Sequence, residues 1–331
     1  MNKTPLFDVE EVIDQAGGWR IAGRGVALAT VVATWGSSPR PVGSQMAINA
    51  DGVFVGSVSG GCLEGALVRE GLEIIEDGKP RLMNFSVSDD EAWGVGLACG
   101  GSLTVYIEKL EALSPLFAAQ RPMASVTRLS DGAQIFIGKD SASGELLLAA
   151  DELAKARDCL AHFNSAMIAD GLFCRVYSPP QRLFVVGAVH ITQALVPMAK
   201  LAGFDVTVID PRRAFASEDR FPGVSLTHDW PDEALDILVP DGRTAIVVLS
   251  HDPKIDDPAL EKAIRSHAYY IGALGSRKSH AKRLARLVER GFTEAECARI
   301  QGPVGLAIGA ISPAEIAVSI LAAMIAAKYG K

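Results

Sequence analysis

The second half of the chain alternates short apolar strands with helical segments, and this alternation restricts the fold more than any other feature of the sequence. The predicted elements are strands at 181–186, 205–209, 245–249 and 268–271 and a helix at 191–202. Parallel strands need a long crossover connection, which is usually a helix. The sequence therefore predicts a Rossmann-like, doubly wound parallel sheet over residues 181–331.

The first turn of this region is a modified nucleotide-binding motif. It reads GAVHIT at 187–192, whereas the G-x-G-x-x-G pattern needs glycine at 189 and glycine or alanine at 192. Asp210 follows Gly187 by 23 residues, close to the spacing of a ribose-binding carboxylate. Because the branched side chain of Val189 crowds the path of a pyrophosphate, the motif predicts the fold but does not favour NAD.

Two turns of the same region are candidate anion sites. His190 is predicted to begin a helix, where free backbone amides and the helix dipole favour an anion. In the turn GALGSR at 272–277, Ser276 is a helix N-cap that places Arg277 and Lys278 in the first helical turn. Cations are unfavourable there, and a bound phosphate or carboxylate would relieve the conflict. A solvent-exposed histidine and a solvated pair of charges are the open alternatives.

In the first half of the chain, the stretch GSVSGGCLEG at 56–65 contains the strongest candidate functional residues. Gly60 and Gly61 allow positive φ and a close approach of the backbone to a ligand. Cys62 is predicted at or just before a helix N-terminus, where the dipole favours the thiolate. Glu64 falls in the first helical turn. A buried cysteine that only fills space is the alternative for Cys62.

Two further loops of the first half are candidate site loops. GVGLACGG at 94–101 places Cys99 in a second glycine-rich turn, for which reactive and space-filling roles remain open. Pro39 and Pro41 bracket Arg40 in a stiff loop, which is a common way to present one polar residue in a site. A plain turn with a solvated arginine is the alternative.

The composition excludes several classes of function. A net charge of −7 argues against nucleic acid as a partner, and the six histidines occur without the spacing of a zinc site. The five cysteines are scattered and no secretory signal precedes them, which predicts a cytoplasmic protein with reduced thiols. The apolar run at 316–327 is too short to span a membrane and predicts a buried helix.

The predicted fold class is α/β, with an N-terminal α+β domain that carries the glycine and cysteine loops. We predict an N-terminal domain at 1–110, a connecting α/β region at 111–180 and the Rossmann-like domain at 181–331, with Ser-Pro-Pro at 178–180 as the linker. The N-terminal elements are predicted as helices at 7–18, 63–76, 112–120 and 151–163 and strands at 26–34, 45–49, 53–55, 81–86, 102–108, 123–129, 133–137 and 171–177.

Several segments in a fixed order carry a resemblance to a known family. They are SSPRPVGSQM, GSVSGGCLEG, ACGGSLTVYIE, FVVGAVHIT with VTVIDPR, YYIGALGSR and PVGLAIGAISPAEIAVSI. Together they resemble the xanthine dehydrogenase accessory proteins of the XdhC/CoxI family over residues 5–328. The resemblance implies a chaperone that binds the molybdenum cofactor, holds it during sulfuration and inserts it into an apo molybdenum hydroxylase. Family members usually have glycine at the position of Val189.

A molybdenum cofactor would give the candidate residues a common role in binding it, and the resemblance also implies partners. The residues are Arg40, Gln45, Gly60, Gly61, Cys62, Glu64, Cys99, Gly187, His190, Asp210, Ser276 and Arg277. Cys62 and Cys99 are the implied contacts to molybdenum of a molybdopterin or dinucleotide cofactor. The implied partners are a xanthine dehydrogenase-like apo-enzyme, a cysteine desulfurase and a second copy of the chain. A maturation factor without turnover is favoured, and an NAD(P)-dependent oxidoreductase that uses the C-terminal domain is the alternative.

Overall fold

The computed structural model describes residues 9–36, 40–61, 63–85, 101–111 and 121–330. The chain forms two compact units, Met1–Pro179 and Pro180–Lys331. The first combines antiparallel sheets with helices, and the second is a parallel sheet with helices on both faces. The predicted fold class is therefore confirmed, whereas the further division of the first unit at residue 110 stays a prediction.

The first sheet of the N-terminal unit is antiparallel, in the order β3-β2-β1-β5-β4. Its elements are α1 (Val9–Ile21), β1 (Val26–Trp35), β2 (Gln45–Asn49), β3 (Phe54–Gly56), α2 (Glu64–Asp77), β4 (Arg81–Phe85) and β5 (Ser102–Lys109). Because strand side chains alternate, Ala27 and Ala29 of β1 pack with α2 while Val26 and Leu28 pack with α1. This confirms burial on both faces for residues 26–32 of β1, whereas Ala33 and Trp35 are exposed and Thr34 is half-buried.

A second antiparallel sheet of the same unit has the order β8-β7-β6-β10-β9. Its strands are β6 (Met123–Arg128), β7 (Gln134–Ile137), β8 (Ala142–Gly144), β9 (Ala166–Ala169) and β10 (Leu172–Tyr177), and α3 (Ala150–His162) covers one face. The buried face joins Val126 and Cys174 of the strands to Cys159 of α3. Burial raises the pKa of both thiols, so neither cysteine is a ready nucleophile.

The C-terminal unit is a parallel sheet in the order β13-β12-β11-β14-β15-β16. Its elements are β11 (Gln181–Val186), α4 (His190–Leu201), β12 (Phe204–Ile209), β13 (Ser225–Thr227), α5 (Pro231–Leu238), β14 (Thr244–Val248), α6 (Pro253–Arg265), β15 (Tyr270–Ala273), α7 (Arg277–Glu289), α8 (Glu294–Cys297), β16 (Ile300–Gln301) and α9 (Pro313–Lys328). Leu183 and Val185 of β11 face the core with α4 and α9, whereas Phe184 and Val186 face α5 and α6. This is the doubly wound order of a Rossmann-like domain.

The helix at the end of the chain is buried on one face only. Ala317, Ile320 and Met324 lie in the core, while Val318 and Ile325 are 47% and 39% exposed. The predicted burial is thus limited to one side, because a uniformly apolar run carries no periodicity to show which face packs on the sheet. Within the described parts of the chain, no helix has the length and apolar character needed to cross a bilayer. The predicted helix at 112–120 lies outside the described residues.

Candidate functional site

Three loops of the N-terminal unit leave from the same end of its first sheet. β3 ends at Gly56 beside the start of β2. β1 ends at Trp35 opposite Ser102 at the start of β5, and β4 ends at Phe85 on the other side of β5. The described residues at this end are 36, 40–44, 57–61 and 63, together with Phe85 and Gly101, which flank the loop that contains Cys99. The pairing thus brings the loop of Arg40, the Gly60-Gly61 loop and both ends of the loop that contains Cys99 to one place.

The carboxylate of Glu64 organises the glycine loop. It accepts hydrogen bonds from the hydroxyls of Ser57 and Ser59, both at 2.6 Å. It also accepts from the backbone amides of Ser59, Gly61 and Leu63 at 3.2, 2.9 and 3.2 Å. Gly60 and Gly61 have φ of +77° and +121°, which confirms the predicted positive φ. The chain can fold back over the carboxylate because of these two glycines.

Glu64 is only 7% exposed, yet its carboxylate is strongly held in the charged form. Burial alone would raise the pKa of Glu64, but the hydrogen bonds from Ser57, Ser59 and the backbone outweigh it and lower the pKa to about 2. Gly61 and Leu63 are the residues immediately before and after Cys62. The carboxylate therefore fixes the backbone on both sides of that cysteine, and helix α2 begins at Glu64.

Arg40 and Gln45 are placed differently from each other. The Nε of Arg40, which is half-buried, donates to the carbonyl of Ser57 at 3.2 Å and so joins Arg40 to the glycine loop. Gln45 is 3% exposed, and its Nε2 donates to Thr30 Oγ1 and Tyr177 Oη, both at 3.0 Å. Arg40 is thus near the candidate site, whereas Gln45 is a core residue with almost no surface to offer a ligand.

The predicted contacts to molybdenum, Cys62 and Cys99, lie outside the described residues. Where the structure does describe the chain, no three His, Cys, Asp or Glu side chains come together as a metal site. The remaining cysteines, Cys159, Cys174 and Cys297, are free and buried. Cys62 and Cys99 therefore remain predicted contacts, and the glycine loop that Glu64 braces is the nearest described structure to Cys62.

A pocket of about 420 Å³ opens in the C-terminal unit, where β11 and β14 lie side by side. Chain connections leave these two strands in opposite directions along the sheet, and doubly wound folds bind ligands at such a point. The lining residues are Val189, His190, Ile191, Leu249, Ser250, His251 and Leu274. His190, Ser250 and His251 supply polar groups to walls that are otherwise apolar.

Gly187 forms the tight turn between β11 and α4. Its φ is +106°, and a Cβ at this position would lie 2.5 Å from the backbone nitrogen of Ser250. The hydroxyl of Thr192 donates to the carbonyl of Gly187 at 2.5 Å and closes the turn from the helix side. Only glycine allows β11 and β14 to approach here. Val189 follows as the N-cap of α4, which has no side-chain cap.

Asp210 has both carboxylate oxygens engaged within the protein. It is fully buried and accepts from the amide of Ala188 at 2.8 Å. The backbone, Nε and Nη2 of Arg212 donate to it at 2.9, 2.9 and 2.7 Å. Burial would raise the pKa of Asp210, but the hydrogen bonds from Arg212 and Ala188 lower it. Asp210 therefore braces the Gly187 turn from within, and a ribose would have to displace these contacts.

The second predicted anion turn is formed as the sequence indicated. Ser276 is the N-cap of α7, and its Oγ accepts from the amide of Ser279 at 3.1 Å. Arg277 and Lys278 follow in the first turn, are exposed, and have no acidic neighbour in that turn. Leu274, two residues before the cap, lines the same pocket as His190.

Sequence reasoning missed the residues beyond β14 and those inside α6 and α7. Ser250 and His251 line the pocket, and the Ser250 hydroxyl donates to the buried carboxylate of Asp256. Asp256 in turn lies 3.5 Å from the buried guanidinium of Arg283. The available signal was positional: Ser250 and His251 directly follow a predicted parallel strand, where ligand-binding loops concentrate. Asp256 and Arg283 give no such signal, because only the packing of α6 on α7 brings them together.

Two family models match this chain. The model described as the XdhC Rossmann domain matches residues 183–324, and the model described as the XdhC and CoxI family matches residues 19–86. The first match covers the parallel sheet with its pocket. The second covers β1 to β4 with the loops of Arg40 and Cys62.

Named relatives match both units together. The chain is 28% identical over 303 residues to the molybdenum cofactor insertion chaperone PaoD of Escherichia coli, covering 91% of this chain and 83% of PaoD. It is 27% identical to a probable xanthine dehydrogenase subunit of Bacillus subtilis, covering 90% of this chain and 92% of that protein. A crystal structure described as a xanthine dehydrogenase from Bacillus halodurans has a TM-score of 0.81 at 26% identity, over 98% of this chain and 97% of that one.

Proposed function

The chain belongs to the XdhC and CoxI family, and on that premise we propose that it binds the molybdenum cofactor and delivers it to a molybdenum hydroxylase of the xanthine dehydrogenase type. One observation carries the proposal: the similarity to the insertion chaperone PaoD runs through 91% of the chain and so includes both units. A shared Rossmann-like sheet alone would not support it, because such folds serve many unrelated functions.

The described residues fit a ligand that combines a flat ring with a phosphate. The bound cofactor supplies a molybdenum atom held by the dithiolene of a pterin, together with a phosphate. In the N-terminal unit, Arg40 would meet a polar edge of such a ligand, whereas the amides of Gly60 and Gly61 already donate to Ser57 and Glu64. In the C-terminal unit, the 420 Å³ pocket is within the size range of small-molecule sites; His190 lines it, and Arg277 follows the lining residue Leu274 in the chain, at the start of α7.

Finer features of the proposal follow the same family premise. We propose that the chain holds the cofactor while its sulfido ligand is installed, that a cysteine desulfurase is the sulfur donor, and that the working form is a homodimer. Cys62 is the proposed contact to molybdenum because it precedes a helix start, where a thiolate is favoured. The protein itself is proposed to have no turnover.

The proposal is tested by loading the purified protein with molybdenum cofactor and mixing it with an apo molybdenum hydroxylase. We expect the hydroxylase to gain activity, and we expect Cys62→Ala to retain less cofactor after gel filtration than the parent protein. Cys159→Ala is the matched control, because Cys159 lies in the core of the second sheet and should not affect retention. An apo-hydroxylase that stays inactive with the loaded protein would contradict the proposed function.

The oxidoreductase alternative predicts a different result with nicotinamide cofactors. Because Val189 stands at the N-cap of α4 and Asp210 is engaged by Ala188 and Arg212, we expect NADH to bind with a dissociation constant on the order of 1 mM or weaker. Val189→Gly should tighten NADH binding if crowding is the cause. Fluorescence titration measures both constants, and micromolar binding by the parent protein would favour the oxidoreductase.

A further inference from the structure

We propose that the turn at 274–277, at the start of α7, holds the phosphate-ester end of the ligand in the adjoining pocket, with Arg283 as its buried arginine. This proposal rests on the proposed function in naming a phosphate-bearing cofactor as the ligand. It differs from the usual arrangement of a dinucleotide fold, in which the phosphate lies on the first helix of the domain. Here that helix is α4, whose start carries Val189.

The first observation is an incompletely paired arginine beneath the turn. Arg283 is 4% exposed, and its Nη2 donates to the carbonyl of Leu274 at 2.8 Å. Its Nε and Nη1 have no hydrogen-bond partner among the described residues. A carboxylate oxygen of Asp256 lies 3.5 Å from Nη2. Burying a guanidinium with two unpaired donor nitrogens is energetically unfavourable unless an acceptor forms hydrogen bonds with them. Phosphate oxygens suit the geometry of a guanidinium.

The second observation is that this guanidinium points toward the turn and that the turn has no side chain above it. Gly275 has φ of +143°, and a Cβ on it would lie 3.8 Å from Nη2 and 3.9 Å from Nη1 of Arg283. The same position is 3.2 Å from the Cβ of Ser279. Glycine therefore keeps a side chain out of the space between the helix start and the guanidinium, which is where a phosphate oxygen would enter in this proposal.

The third observation is an excess of positive charge that no carboxylate offsets. Arg277 and Lys278 follow the Ser276 cap, where the helix dipole is already positive, and among the described residues neither forms an ion pair. The neighbouring helix α6 is the opposite case. Its first turn also has a lysine, Lys254, but the Asp252 side chain caps that helix and Asp256 lies in its first turn. Helix α6 therefore supplies its own anions, and α7 does not.

The start of α4 is a weaker anion site than the start of α7. It offers backbone amides without a side-chain cap, but its first turn contains no arginine or lysine, and Val189 occupies its N-cap. Charge-assisted contacts from arginine to phosphate are about twice as strong as neutral ones. Since Leu274 lines the pocket, a ligand can extend from the α7 turn toward His190 and His251 with its phosphate at α7.

The ligand class is a phosphate monoester or a diphosphate ester. A molybdopterin would present the first, and the dinucleotide form of the cofactor would present the second. Inorganic phosphate and pyrophosphate reproduce these two groups without the pterin. They allow the anion site to be measured in the intact protein whether or not the cofactor is the natural ligand.

The experiment is titration of the full-length protein with sodium phosphate and with sodium pyrophosphate at low ionic strength, by calorimetry. We expect at least one of the two to bind with a dissociation constant on the order of 1 mM or tighter, and Arg277→Ala to weaken it about tenfold. Lys254→Ala is the matched control and should bind like the parent. Arg283→Lys keeps the positive charge but loses the paired N–H donors of the guanidinium, and we expect it to weaken anion binding as well.

The outcomes separate this proposal from the proposed function. If neither anion binds, or if Lys254→Ala weakens binding as much as Arg277→Ala, the α7 site is wrong. If Arg283→Lys fails to fold, the comparison of Arg277→Ala with Lys254→Ala still decides. A protein that activates the apo-hydroxylase but binds neither anion retains the proposed function and rejects the α7 site. Binding of pyrophosphate without activation of the hydroxylase retains the α7 site and rejects the proposed function.

Discussion

Asp210→Asn is expected to lower the free energy of unfolding of the C-terminal unit by about 3 kcal/mol. The substitution leaves Arg212 without its carboxylate and puts an amide group among donors from Ala188 and Arg212. Breaking a buried ion pair costs about 3–5 kcal/mol, and the lower end applies because Arg212 is 34% exposed and can be solvated. Urea denaturation at pH 7 measures the change.

Asp205→Asn is the matched control for this prediction. Asp205 lies on the same strand, β12, but its side chain is exposed, so its replacement should leave the free energy of unfolding unchanged within about 0.5 kcal/mol. A carboxylate whose task is to bind a ribose would behave differently: Asp210→Asn would then weaken nucleotide binding and leave stability intact. That result would contradict the bracing role.

The parallel sheet could be predicted from the sequence because its signals are local. Each central strand is a short apolar run that ends at a turn, and the strand at Gln181–Val186 has the predicted bounds. The cap of the last helix is also local in the sequence, since Ser312 and Glu315 form a capping box around Pro313. Helix α6 was not predicted. Its pattern is interrupted by Pro258, and two of its buried residues are aspartates, Asp256 and Asp257.

The roles of the acidic site residues could not be predicted from the sequence. Spacing placed Asp210 at the end of the second strand, but spacing does not show which donors reach its oxygens. Its partner Arg212 is only two residues away. The dinucleotide-binding motif, in which the carboxylate binds a ribose, assigns no role to this arginine. Glu64 was likewise found by position, while its five donors come from a loop that folds back over it. Such contacts depend on backbone conformation, which glycine permits but does not specify.

The prediction for Glu64 is that Glu64→Gln lowers the free energy of unfolding of the N-terminal unit by about 3 kcal/mol at pH 7. The fall of the Glu64 pKa from 4.5 to about 2 means that the folded loop binds the carboxylate much better than the acid. At about 1.4 kcal/mol per pKa unit, this shift accounts for the expected loss. The glutamine keeps the shape but brings an NH₂ group next to hydroxyl and amide donors.

The pH dependence gives this prediction its sign. Because the pKa of Glu64 is lower in the folded than in the unfolded chain, its carboxylate stabilises the fold at any pH above the unfolded-state pKa. This contribution is lost as the pH falls through the folded-state pKa. The parent protein and Glu64→Gln should therefore differ fully above about pH 4.5 and converge toward pH 2. Glu76→Gln, an exposed position on the same helix, should match the parent at every pH. A constant difference across this range would mean that packing, not the charge of Glu64, holds the loop that carries Cys62.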